Sequence, residues 1–251
     1  MGLLAALLYG ALQGLTEFLP VSSSGHLAYA ARLLHLETGS LGLAVAAHVG
    51  TLVAVVWFYR RTIADVISAS PDRGRRLGTF AWALLATAPP ALILADPAES
   101  AFGQPLLVAV GFVLTSLLLL LLARLPLTGR DRPAAVDGLL IGAAQGIAVW
   151  PGLSRSGATI ATARLLGIAP DAAAEFTFLL SIPTVLAALG RELYGGGLGG
   201  TSLPDLLVAG CAAAVVGIVG LRWLIGLLRR GRLSWFAFYT LILAGVGLWL
   251  G

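Results

Sequence analysis

Two short stretches of the chain carry residue types that chemistry uses and hydrocarbon disfavours. The first, Gln13-Gly14-Leu15-Thr16-Glu17-Phe18-Leu19-Pro20-Val21-Ser22-Ser23-Ser24-Gly25-His26, holds a carboxylate, three serines and an imidazole. The second, Pro151-Gly152-Leu153-Ser154-Arg155-Ser156-Gly157-Ala158-Thr159, holds a guanidinium among hydroxyls. Proline ends a helix by removing an amide donor, and serine starts one as an N-cap. Each stretch therefore reads as a break between two half-helices. The half-helix after each break turns free amides and a positive dipole end toward the tip. Two such ends facing each other make a receptor for an anion. Arg155 adds a permanent cation whose planar fork suits phosphate oxygens. Ser22, Ser24, Ser154, Ser156, the Gly157 position and Thr159 complete a binding set for a phosphate or diphosphate.

Glu17 is the acidic exception, because one carboxylate beside a phosphate repels it. A divalent cation, Mg²⁺ or Ca²⁺, resolves the conflict by taking carboxylate and phosphate oxygens together. Gln13 lies four residues earlier on the same helical face and can supply a neutral oxygen to that metal or to a water. Equally, Gln13 can hydrogen-bond a neighbouring helix. Ser23 and His26 are three residues apart at a helix start, so their side chains share one side. The dipole disfavours imidazolium there and leaves His26 able to accept a proton. Two mechanisms are open: Ser23 as a nucleophile activated by His26, or water activated by His26 with Ser23 binding phosphate. Taken alone, Ser23 is a plain N-cap.

The other polar residues in apolar surroundings have plainer readings. His48 is expected in a helix-packing hydrogen bond and His35 at the membrane interface. Glu175 is expected to pair with Arg155 or Arg164 in a supporting role. Cys211 stands alone in an apolar run and is expected to be a buried, unreactive thiol. Trp82, Trp223, Trp235 and Trp249 fall near the ends of apolar runs, as interface anchors do.

The elements that must position these groups are membrane helices. Of 251 residues, 58% are hydrophobic and 11% are charged, against about a quarter charged in soluble domains. The mean hydropathy is +0.93. The apolar runs are continuous rather than alternating, which selects helices over a barrel. Full spans are expected at about 41–59, 77–95, 104–123, 172–190, 203–228 and 234–250. Residues 3–35 and 136–168 are broken at the two chemical stretches, and each limb is too short to cross comfortably, so each is expected to be a re-entrant helix-break-helix hairpin. No basic region precedes the first apolar stretch, so a cleavable signal peptide is not expected.

The two breaks also match each other. Gln13-Gly14 aligns with Gln145-Gly146, and Ser22-Ser23-Ser24-Gly25 with Ser154-Arg155-Ser156-Gly157, about 132 residues apart. Further on, His48-Val49-Gly50-Thr51 aligns with Ser181-Ile182-Pro183-Thr184. The expected architecture is an all-α polytopic membrane protein: a single membrane domain over 1–251, six transmembrane helices and two hairpins, in inverted repeats 1–129 and 130–251. All 16 basic residues are arginine. Eleven of them cluster at 60–76, 124–132 and 229–232, and the positive-inside rule puts these segments in the cytoplasm and both termini outside. The hairpins then enter from opposite faces, and their serine-rich tips meet within the bilayer.

At these motifs the chain resembles the undecaprenyl-diphosphate phosphatases associated with bacitracin resistance. The likeness continues through Glu175-Phe176-Thr177-Phe178-Leu179-Leu180-Ser181-Ile182-Pro183 and covers nearly the whole sequence. The resemblance implies hydrolysis of undecaprenyl diphosphate to the monophosphate outside the bacterial cytoplasmic membrane, recycling the lipid carrier of cell-wall synthesis. It also implies a divalent metal and suggests a homodimer. By motif position Glu17 matches an essential acid, Ser23 the proposed nucleophile and His26 the catalytic histidine. Ser154, Arg155 and Thr159 match phosphate-binding residues. Many members carry Glu where this chain has Gln13, a change that should weaken direct metal binding. The competing reading is a transporter or flippase of prenyl phosphate or another anion, since inverted repeats with broken helices serve transport. Against it, Glu17 and His26 have no counterparts in the second half, where Val149 and Ala158 fall.

Overall fold

The computed structural model describes residues 2–33, 41–68, 72–196 and 200–251. Among them every regular element is an α-helix. The first half contains α1 (Leu3–Phe18), α2 (Ser23–Leu33), α3 (Leu41–Phe58), α4 (Arg60–Ile67), α5 (Arg73–Phe102) and α6 (Pro105–Leu122). The second contains α7 (Ala135–Ile147), α8 (Arg155–Leu165), α9 (Pro170–Gly196), α10 (Leu203–Arg229) and α11 (Ser234–Leu250). Among the described residues four helices, α5, α6, α9 and α10, are long and apolar enough to cross a membrane. The count becomes five if α3 and α4, which bend by 71° at their junction, form one span. Leu92, Ile93, Val215, Ile242 and Trp249 lie largely exposed, as lipid-facing side chains do. The chain is thus a multi-pass helical membrane protein. His35 lies outside the described residues.

Each expected span falls on a helix, but several boundaries differ, and α9 runs on to Gly196. Helix α5 runs on to Phe102 and contains Pro89, Pro90 and Pro97; a membrane helix tolerates proline where neighbours satisfy the freed carbonyls. Residues 60–67, expected as loop, form α4. Its Val66 is buried while Arg60 and Arg61 are exposed, the two-faced pattern of an interfacial helix.

Small residues set the closest packing. Helix α1 lies on α10 through Gly10 and Gly14, which face Ala209 and Ala213. A Cβ at Gly14 would stand 2.6 Å from the Ala213 carbonyl oxygen. Helix α7 lies on α5 in the same manner, with Gly138, Gly142 and Gly146 facing Thr79, Ala83 and Thr87. Without a hydrophobic drive in lipid, such backbone approach is what holds helix pairs together.

Polar contacts gather at the two ends of the bundle. At one end Thr62 of α4 bonds Glu175 of α9 at 3.3 Å, and Arg229 of α10 pairs with Asp171 of α9 at 2.7 Å. At the same end Arg130 and Asp137 of α7 are 3.0 Å apart. Arg132 reaches Asp72 at 2.8 Å; that bond and the charge of Arg75 hold the exposed Asp72 carboxyl below its usual range. At the other end Arg32 of α2 donates to the Leu250 carbonyl of α11 at 3.0 Å, and Arg191 of α9 lies 3.9 Å from Glu99 of α5.

Candidate active site

Both chemical stretches fold as breaks, and the breaks meet. Helix α1 stops at Phe18, and the backbone passes through Leu19, Pro20 and Val21 to Ser22, which has φ 65°. Ser22 is the one non-glycine residue with positive φ among those described; strain of that kind persists where surroundings impose it. The Ser22 hydroxyl accepts the Gly25 amide at 3.3 Å and lies 3.2 Å from the Ser24 hydroxyl. In the second break Ser154 caps α8, accepting the Gly157 amide at 3.0 Å, with the Ser156 hydroxyl 3.2 Å away. The Ser156 hydroxyl then bonds the Leu19 carbonyl across the junction at 3.3 Å.

An ion pair closes this junction. Arg155, the first residue of α8, pairs with Glu17 near the end of α1. The other Glu17 oxygen accepts the Ser23 hydroxyl at 2.7 Å and the Gln13 amide at 3.0 Å. A carboxylate side chain only 7% exposed needs such partners, because unpaired burial is costly. Glu17, Ser22, Ser23, Ser24, Ser154, Arg155 and Ser156 share one cavity of about 600 Å³. Its far wall is apolar, built by Leu84, Ala88 and Leu92 of α5 with Val185, Ala188 and Leu189 of α9. An anionic headgroup at the polar end and an apolar tail along the trough fit this amphipathic shape.

Not every expected residue joins the cavity wall. The Ser23–His26 pair does not form. Ser23 turns to Glu17, while the His26 ring bonds the Ser22 carbonyl through Nδ1 and the Tyr239 hydroxyl of α11 through Nε2, both at 2.7 Å. The ring stacks on Tyr239 and meets the edge of Phe112. Three residues along a helix share a side only loosely, and α11 offers His26 an aromatic partner that the sequence did not disclose. Gly157 takes part through its cap, and the buried Thr159 hydroxyl bonds back to the Arg155 carbonyl at 2.8 Å. Gln13 is 1% exposed and sits behind Glu17.

Other expectations shift as well. Glu175 pairs with neither Arg155 nor Arg164. It accepts from Thr62 and lines a second cavity of about 470 Å³ with Arg76 and Arg132. Arg164 instead donates to the carbonyls of Pro126, Thr128 and Ile168, tying α8 to the segment before α7. Cys211 is exposed, in an apolar groove between α3 and α10. His48 does bond within its own helix, Nδ1 to the Ala44 carbonyl at 2.8 Å, yet its ring also lines the main cavity. Thr87 and Gln145 are on that wall too. Gln145 had a signal in its match to Gln13; Tyr239 and Thr87 had none.

Among the described residues no three His, Cys, Asp or Glu side chains gather to hold a metal. The donors present are hard oxygens: the Glu17 carboxylate and Gln13 Oε1, which is buried with no hydrogen-bond partner among the described residues. That set suits Mg²⁺ or Ca²⁺ only in the mode where one carboxylate is supplemented by substrate phosphates.

Fold and site together define a multi-pass helical membrane protein with a buried carboxylate–arginine–serine centre at two facing helix breaks. The chain belongs to the bacitracin resistance protein BacA family, whose pattern it matches over residues 6–246. It is 38% identical to an undecaprenyl-diphosphatase of Salinibacter ruber, over 98% of each chain. It is also 38% identical to one of Rubrobacter xylanophilus, over 97% of this chain and 96% of that one. A third, from Desulfatibacillum aliphaticivorans, is 35% identical over 94% of each.

Proposed function

We propose that the protein hydrolyses undecaprenyl diphosphate, or a similar polyprenyl diphosphate, to the monophosphate and inorganic phosphate. The carrying observation is the Glu17–Ser23–Arg155 cluster at the polar end of an apolar trough. The terminal phosphate binds at the facing N-termini of α2 and α8, with Arg155 exchanging Glu17 for phosphate oxygens. Ser22, Ser24, Ser154 and Ser156 donate to the remaining oxygens, with Gly157 and Thr159 holding the second break in shape. Ser23 Oγ attacks the terminal phosphorus. Its proton passes to Glu17, which already accepts its hydrogen bond; the bond from that phosphorus to the bridging oxygen breaks, and Glu17 returns the proton to the departing prenyl monophosphate. Water then attacks the phosphoserine, the restored Glu17 carboxylate takes a proton from it, and that proton passes to Ser23 Oγ as the bond from phosphorus to Oγ breaks and inorganic phosphate leaves. His26 holds the Ser22 carbonyl and so the strained tip. A divalent cation, held by Glu17 with Gln13 and the diphosphate, would neutralise charge on the leaving phosphate.

The architecture we propose is six spans and two re-entrant hairpins in an inverted repeat. Two matched details support it. The Ser22–Gly25 cap repeats as Ser154–Gly157, and the α1–α10 contact at Gly14 repeats as the α7–α5 contact at Gly146. The gathering of the arginine-bearing stretches 60–68, 72–76, 124–132 and 229–232 at one end supports placing that end in the cytoplasm of a bacterial inner membrane, with the site opening outward.

Purified protein in detergent should release phosphate from a polyprenyl diphosphate when Mg²⁺ or Ca²⁺ is present. No release, together with uptake of the lipid phosphate into or across liposomes, would replace hydrolysis with transport.

A further inference from the structure

Behind the ion pair lies a second, much smaller space. It is a void of about 10 Å³, walled by Glu17, Arg155, Ser156, Gln145, Thr177 and Ser181. Two wall atoms, Gln145 Oε1 and Thr177 Oγ1, are buried with no hydrogen-bond partner among the described residues. Gln145 is 3% and Thr177 2% exposed, so bulk solvent does not serve them. Their surroundings make the lack unusual. Thr16 and Thr162, on other helices, return their hydroxyls to the carbonyl four residues back, the usual recourse of a mid-helix threonine. The other end of the Gln145 amide is satisfied by Thr87 at 3.3 Å. A buried polar atom left unpaired is expensive, and natural proteins leave few.

We infer that this void binds one ordered water, and that Gln145 and Thr177 act through it as positioning residues for Arg155 and Glu17. A void of this size admits one water, and a polar wall with several partners is what retains it. The water accepts from Thr177 Oγ1 and donates to Gln145 Oε1. Its remaining bonds fall to the Glu17 and Arg155 side chains, which form the front of the same wall. Held from behind, the pair keeps its register while its front faces substrate, the support that a functional constellation requires.

The test has two arms. A wild-type structure at high resolution should show one water peak bonded to Gln145 and Thr177; an empty void overturns the inference whether or not the protein is a phosphatase. The kinetic arm rests on the phosphatase reading and compares Thr177→Val, which replaces the hydroxyl by a methyl, with Thr177→Ser, which keeps it. Thr177→Val should lower kcat about tenfold (~1.4 kcal/mol) with KM changed less than twofold, and Thr177→Ser should restore the rate. A folded Thr177→Val with wild-type kcat overturns the positioning role. Should Thr177→Val not fold, Gln145→Met gives the same readout. A wild type that releases no phosphate fails the functional reading and leaves the density arm intact.

Discussion

Each Glu17 oxygen has a different partner. One faces the Arg155 guanidinium and the other receives the Ser23 hydroxyl, the two groups that the proposed reaction brings to the phosphate. That division was only half legible in the sequence. The two motifs disclosed which residues are expensive to bury, and their spacing from Pro20 and Pro151 disclosed that they stand at helix breaks. The spacing could not disclose that Ser23 turns back six residues to Glu17, or that His26 turns toward Tyr239, 213 residues away. Side-chain direction at a break depends on the tip backbone, here on Ser22 at φ 65°. Wild-type protein quenched during turnover with radiolabelled terminal phosphate should carry label on Ser23, and Ser23→Ala should carry none. Substantial hydrolysis by Ser23→Ala would transfer the attack to water.

The elements were more legible than their ends. A helix forms over each of the six expected apolar runs, and four of these helices, or five counting the bent α3–α4 pair, are long and apolar enough to cross a membrane. The exact stops were obscured where proline is tolerated, as in α5, and the α4 helix was hidden by its arginines. What makes the elements pack is the glycine pattern of α1 and α7. Gly14→Val should place a branched side chain against the Ala213 backbone, where Cβ alone already meets a carbonyl at 2.6 Å. Overpacking of this kind costs about 1–3 kcal/mol, read as a lowered unfolding temperature in detergent. Gly245→Ala, where a Cβ meets nothing within 4 Å, should unfold with the wild type. Equal unfolding of both variants would mean that α1 and α10 are not held by this contact.

Over the whole molecule, the pairing of α1 with α10 and of α7 with α5 weaves the two halves together, so that neither helix break is supported by its own half alone. That exchange brings an acidic break and a basic break to one point. The internal sequence match indicated it, since Gln13 and Gln145 head equivalent limbs. The order in which the halves interlock needed the structure. The proposed topology is checked in a Cys211→Ala background with single cysteines at Ser100 and Ser68. A membrane-impermeant maleimide added to whole cells should label Ser100→Cys and should reach Ser68→Cys only after lysis. The reverse pattern would invert the protein and put the site on the cytoplasmic side.

In the proposed reaction Glu17 and Arg155 work together on one phosphate. The most direct measurement is steady-state phosphate release from a polyprenyl diphosphate by wild type, Glu17→Ala and Arg155→Ala, each shown to be folded and monodisperse in detergent. Removing either partner should cost at least about 10²-fold in kcat, the scale set by loss of a charged group that stabilises a transition state. Near-normal turnover in either folded variant would contradict the active centre described here.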